Sequence, residues 1–160
     1  MLSTSFFDQI GEFVKNPVFL SAVSSWFITQ FTKTLISILR RRVGSVREII
    51  ELLIWRTGGM PSSHSALVIS VTTAIGFHSG VQSDVFVLAL CLSMVVIRDA
   101  MGVRRSSGIQ AKTLNSLGNE ISRKIGINYS PVKEIQGHKP VEVVCGALMG
   151  FFIGVAFSVL

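Results

Sequence analysis

Four apolar stretches separated by short polar segments constrain this chain more than any other feature. They run from Pro17 to Leu39, from Pro61 to about Gly80, from about Asp84 to Ile97, and from Val141 to Leu160. A helix needs roughly 20 residues to cross a bilayer; all four stretches could span one, with short purely apolar cores in the second and third. Only 15% of the 160 residues are charged and 49% are hydrophobic, whereas soluble domains carry about 25% charged residues. The expected fold is therefore all-α: an integral-membrane helical bundle of roughly four transmembrane helices plus interfacial amphipathic helices. Residues 1–160 read as a single membrane domain. Its first sixteen residues, MLSTSFFDQIGEFVKN, lack the basic-then-apolar order of a signal peptide. They read either as a short amphipathic helix at the membrane surface, with Phe6, Phe7, Ile10, Phe13 and Val14 on one side, or as an ordinary leading segment.

The basic residues orient the bundle. Arg40, Arg41, Arg42, Arg47 and Arg56 lie between the first and second stretches. Arg98, Arg104, Arg105, Lys112, Arg123 and Lys124 follow the third, whereas HSGVQSD, between the second and third, has no Lys or Arg. By the positive-inside rule both basic loops face the cytoplasm and the N-terminus lies outside. The expected location is the plasma (inner) membrane. HSGVQSD also reads as a tight turn joining two antiparallel helices. Val46–Trp55 and Ile109–Ile125 alternate charged and apolar residues with a helical period, which predicts interfacial helices along the same face. Gly146, Gly150 and Gly154 form a flat groove on the last stretch, able to pack within one chain or between two copies, so a homo-oligomer stays open.

The uncommon polar residues gather at the face with the basic loops. Lys33 lies near the end of the first span, and Arg40 falls on nearly the same helical face seven residues later. His64 opens the second span, Arg98 and Asp99 close the third, and His138 and Glu142 open the fourth. A phosphate ester would use such a set. In GGMPSSHSA, Gly58 and Gly59 permit close backbone approach, Pro61 suits a first helical turn, and the N–H groups around Ser62, Ser63 and His64 point at an anion. Lys33, Arg40 and one or more of Arg98, Arg104 and Arg105 add positive charge. A neutral histidine can attack phosphorus, a second can protonate the leaving oxygen, and a carboxylate can fix the nucleophile's tautomer. His138, His64 and Glu142 supply those groups without a metal or other cofactor.

Three segments resemble a known superfamily. KTLISILR (Lys33 to Arg40) matches the Lys-x6-Arg opening of the type 2 phosphatidic acid phosphatase superfamily, which includes bacterial acid phosphatases and vanadium haloperoxidases. PSSH (Pro61 to His64) is similar to its Pro-Ser-Gly-His motif, and His138-x3-Glu142 to its closing His-x3-Asp. GGMPSSHSA, RDAMGVRR and GHKPVEV together look most like the divergent branch. The resemblance implies that His138 is the nucleophile, His64 the general acid, and Glu142 the group orienting His138. It also implies that Lys33 and Arg40 hold the phosphate and that Ser62 and Ser63 donate hydrogen bonds to it. This sequence departs from the pattern at Arg41 (for proline), Ser63 (for glycine) and Glu142 (for aspartate). The Ser-Arg pair expected before the last histidine is absent from SPVKEIQGH, and Arg104 or Arg105 would have to take its place.

The function this predicts is an integral-membrane phosphatase of a lipid phosphate or related phosphomonoester or pyrophosphate, working through a metal-independent phosphohistidine. The alternative is a non-catalytic membrane protein that binds or helps move a phosphorylated lipid. The expected partners are membrane lipid and such a substrate. Nucleic acid is disfavoured, because the basic residues are spread over membrane-adjacent loops without an aromatic-basic platform. A serine hydrolase is disfavoured by the absence of Gly-x-Ser-x-Gly. Asp99 has no carboxylate neighbour for a metal and is expected to pair with Arg98, Arg104 or Arg105. Cys91 and Cys145 read as small buried hydrophobes.

Overall fold

In the computed structural model, residues 5–40, 45–46, 49–50, 53, 59–134 and 137–160 are described. The first helix, α1 (Phe6–Lys15), starts with a capping box between Ser5 and Asp8. It buries no residue and leans on the next helix through Phe13 and Phe19, whose rings lie 4.4 Å apart. Then come α2 (Pro17–Leu39), α3 (Ser63–Ser79), α4 (Asp84–Met101), α5 (Val103–Ile125) and α6 (Pro140–Val159). No strand occurs among the described residues. Asn16 caps α2 by accepting from Val18 N–H, and Pro17 fills the first helical position, where no N–H is needed.

The bundle is inverted relative to a soluble protein. Its interior is made of small and polar residues, including Ser21, Ser25, Ser65, Ala66, Ser70 and Ala74. Its surface carries Phe27, Phe31, Leu88, Leu92, Val95 and Phe152. In lipid, exposed large apolar side chains cost nothing and small residues let helix backbones approach closely. That pattern is what an integral-membrane helical bundle requires. Cys91 departs from its expected burial: it lies exposed on α4, among the lipid-facing residues, while Cys145 is half-buried.

At the centre, α3 packs against α2, α4 and α6. A Cβ at Gly146, Gly150 or Gly154 would collide with the carbonyl oxygens of Ser62, Ala66 and Ser70 respectively. Both series advance by four, so α3 and α6 run parallel with their N-termini at one end. The glycine groove is thus filled within the chain. By contrast α2 and α4 run antiparallel to α3. Ser70 Oγ donates to Ser21 O, Thr72 Oγ1 to Ala89 O, and Ser93 Oγ to Val68 O. The polar turn after α3 makes the expected antiparallel hairpin, with Ser83 capping α4 through Phe86 N–H.

Two stretches are long and apolar enough to cross a membrane among the described residues: α4, continuous with α5 from Asp84 to Ile125, and α6. At 17 residues, α3 spans about 25 Å, and it lies inside the bundle, shielded by its neighbours. Length and composition therefore support two of the four expected spans directly. The α3 helix also begins later than the sequence pattern suggests. Pro61 precedes the capping residue Ser62, so it lies outside the helix. The interfacial helix expected over Val46–Trp55 falls largely outside the described residues, as do Arg41, Arg42, Arg47, Arg56 and Gly58.

The expected amphipathic helix at Ile109–Ile125 is the longer part of α5, which starts six residues earlier. Gly126, at φ +76°, closes it in the left-handed conformation. Asn115, a polar residue within this helix, is buried. Its Nδ2 donates to Val132 O and Glu134 Oε1, and its Oδ1 accepts from Tyr129 Oη and Val132 N. One amide side chain thus ties the returning segment to α5, with the Tyr129 ring lying on Gly118. In Asn115→Ala the groups left unpaired would cost about 1–3 kcal/mol locally. Hydrogen exchange at the Val132 amide should accelerate about tenfold or more, while α3 and α6 amides keep their protection.

Candidate phosphate site

The two parallel helices α3 and α6 begin side by side. Ser62 N–H donates to Glu142 O at 2.9 Å, so one helix start is bonded directly to the other. Their positive dipole ends reinforce each other at one point. Ser62 is fully buried, and its hydroxyl accepts from Ser65 N–H and from Ser65 Oγ. Its own O–H proton is what it has left to offer. The next two amides, of Ser63 and His64, have no acceptor among the described residues, as expected of first-turn donors. Gly59, at φ +84°, gives the approach to this helix a backbone conformation that side-chain-bearing residues seldom adopt.

His138 stands just ahead of α6 and is 3% exposed. Its backbone N–H donates to Ala100 O at the end of α4. Gly137 packs against the backbone of Arg105, where a Cβ would collide. These two contacts fix the backbone at His138. In front, Nδ1 lies 3.0 Å from Glu142 Oε2, which also accepts from Lys139 N–H at 3.2 Å. With the carboxylate ionised, Nδ1 carries the proton and Nε2 presents its lone pair. The His64 ring faces His138 with centroids 6.4 Å apart and planes tilted by 60°. That separation is wider than a direct ring-to-ring hydrogen bond and suits a group bridging the two.

Lys33 enters from α2, 2% exposed, and its ammonium finds no hydrogen-bond partner among the described residues. Its charge interacts with that of Glu142, and Arg104, His138, Lys33 and Asp99 all act electrostatically on His64. Arg104 Nε donates to Asp99 Oδ2 at 2.8 Å, which identifies the partner of Asp99. The structure thus brings together Lys33, Ser63, His64, Arg104, His138 and Glu142 at one end of the bundle. Arg40 and Arg105 are placed differently. Arg40 ends α2 with its side chain exposed and without an ion pair among the described residues, and the Arg105 side chain is likewise exposed. No cluster of His, Cys, Asp or Glu among the described residues could hold a metal ion.

Gln30 and Ser25 belong to none of the sequence motifs. Both are buried on α2, with Gln30 Oε1 and Ser25 Oγ unpartnered among the described residues. The signal was present as Ser21, Ser25, Thr29 and Lys33 at four-residue intervals, a polar stripe on an otherwise apolar helix.

The sequence profile of the divergent PAP2 family matches residues 14–153, a range that includes every one of these site residues. The chain belongs to the divergent PAP2 family. It is 30% identical over 153 residues to the uncharacterized membrane protein YuiD of Bacillus subtilis (strain 168), an alignment covering 89% of this chain and 94% of that protein. No solved structure matches it. Membership in this family, together with the inverted bundle, makes the chain a PAP2-related membrane protein.

Proposed function

We propose that this chain is a membrane phosphatase that hydrolyses a lipid phosphate or related phosphomonoester or pyrophosphate through a phosphohistidine on His138. The observation that carries this reading is the Glu142–His138 pair, with the His64 ring across from it. Lys33, Arg104 and the first-turn amides of Ser63 and His64 hold the phosphate oxygens. His138 Nε2 attacks phosphorus and forms the P–N bond as the ester P–O bond breaks, and protonated His64 gives its proton to the leaving oxygen. Neutral His64 then takes a proton from water, whose oxygen attacks phosphorus. The P–N bond breaks and inorganic phosphate leaves. Glu142 stabilises the positive charge that develops on the His138 ring during attack.

The test is phosphate release by purified protein in lipid vesicles, across lipid phosphates and diphosphates, with a metal chelator present. Turnover that survives the chelator and is blocked by vanadate supports the reading. No turnover on any substrate would overturn it. A second reading, phosphate-lipid binding without hydrolysis, is favoured by the missing Ser-Arg pair and by the engagement of Arg104 with Asp99. It predicts binding that survives His138→Ala and fails when Lys33 and Arg104 are neutralised, with no phosphate released by the wild-type protein.

The site faces the cytoplasm from the inner membrane in this reading, because Arg40, Arg98, Arg104 and Arg105 lie at its end of the bundle. A cysteine at Ser83, in a Cys91→Ser, Cys145→Ala background, should be labelled by an impermeant maleimide added outside intact cells. Labelling only after the cells are opened would reverse the orientation.

A further inference from the structure

Gln30 and Lys33 lie one turn apart on the inward face of α2, 5% and 2% exposed. Neither Gln30 Oε1 nor Lys33 Nζ has a hydrogen-bond partner among the described residues. Positions i and i+3 are neighbours on a helix, and helical side chains lean toward the N-terminus, so Lys33 reaches back toward Gln30. The spacing thus directs a buried acceptor and a buried donor to the same stretch of α2, and neither has a partner among the described residues. Thr29 and Thr34, on the same helix, show the contrast. Their hydroxyls donate to Ser25 O and Gln30 O at 2.6 and 2.9 Å. Unpaired polar atoms inside a lipid-embedded bundle are costly, and a species satisfying both must accept from Lys33 while donating to Gln30. An anionic phosphate oxygen with an O–H beside it does both.

We propose that Gln30 is a substrate-binding residue of this site, accepting a hydrogen bond from an O–H group next to the phosphate oxygen held by Lys33. It thereby selects phosphorylated ligands that carry such a group. This inference rests on the reading of the site as a phosphate site. The O–H has two chemical sources: the P–OH of a monoester monoanion, whose second ionisation lies near pH 6, or an alcohol on the carbon chain beside the phosphate. Both present the same donor to Gln30.

Three phosphonates with wild-type and variant protein in lipid nanodiscs separate these sources: an alkylphosphonic acid, its 2-hydroxyalkyl analogue, and the alkylphosphonate methyl monoester, which has no P–OH when ionised. Gln30→Leu, which removes the acceptor at similar volume, should weaken an O–H-bearing ligand about tenfold and leave the methyl monoester within about twofold. With P–OH as the source, the loss appears for the alkylphosphonic acid at low pH and fades once it is fully ionised. With the alcohol as the source, it appears for the 2-hydroxy analogue alone, at either pH. Equal losses for all three ligands, or no change for any, overturn the inference. Lys33→Met should weaken all three. If wild-type protein binds none of them, the phosphate-site reading fails as well; if it binds and Gln30→Leu behaves like wild type, only the role of Gln30 fails. Thermal stability of Gln30→Leu should match or exceed wild type, and Gln30→Met serves as the second variant if the leucine protein does not fold.

Discussion

His138→Ala should abolish phosphate release, lowering turnover more than about 10⁴-fold, while the protein still folds and still binds phosphate. The loss is total in principle because the atom that would carry the phosphoryl group is gone. Folding should survive, since His138 is tied to α4 through its backbone N–H and Ala100 O, a bond alanine keeps. Glu142 is not stranded either, because Lys139 N–H still donates to it. His64→Ala should cost less, about 10²–10⁴-fold, the usual range for removing a general acid. Substrates with good leaving groups should narrow that loss, because they need no proton on departure. Glu142→Gln keeps an acceptor near Nδ1 but removes the charge that stabilises the cationic ring, so it should lower kcat with little change in phosphate affinity. Phosphate release at the wild-type rate in His138→Ala would rule out the assigned nucleophile.

The second large effect concerns the seam between α3 and α6. Gly150→Leu should prevent the native bundle from forming, read as loss of the monodisperse folded species in detergent and of a cooperative thermal transition. A Cβ at position 150 already meets the Ala66 carbonyl oxygen and backbone carbons, which cannot rotate away as a flexible side-chain tip would. Ordinary overpacking costs about 1–3 kcal/mol, but here backbone must separate from backbone along the whole seam. Separation would also pull apart the Ser62–Glu142 bond that joins the two helix starts, so any folded remnant should be inactive. Gly150→Ala should lower the transition by several degrees, and Phe152→Ala, on the lipid-facing surface, should change it little. A fully stable Gly150→Leu protein would mean that the two helices meet along another face.

The seam shows what a sequence of this kind makes legible. Three glycines at four-residue intervals announce a close helix contact, and Ser62, Ala66 and Ser70 form its complement on α3. Which helix fills the groove is a long-range fact that neither stripe states alone. The boundaries of α2 were readable because Asn16-Pro17 is a strong helix start and the apolar run ends at Leu39. Those of α4 and α5 were less readable, since the apolar pattern stops near Ile97 while the backbone hydrogen bonding continues to Met101. In the site, the His138–Glu142 spacing of four residues was enough to bring the side chains together at the helix start. Spacing also predicted Lys33 near that end of the bundle. Gln30 and Asn115 stayed hidden for the same reason: a lone amide residue looks like surface until the elements packed against it are known. For Asn115 those elements are Tyr129 and Val132; for Gln30 they are the helices α3 and α6 that cover the inward face of α2.

Covalent trapping tests the central claim most directly. Reconstituted wild-type protein turning over a ³²P-labelled lipid phosphate, with chelator present, would be quenched in alkali, where phosphohistidine survives, and its peptides sequenced by mass spectrometry. The account predicts label on the His138 ring, lost on acid treatment and absent from His138→Ala. Continued phosphate release without covalent label on His138, or label on another residue, would contradict it.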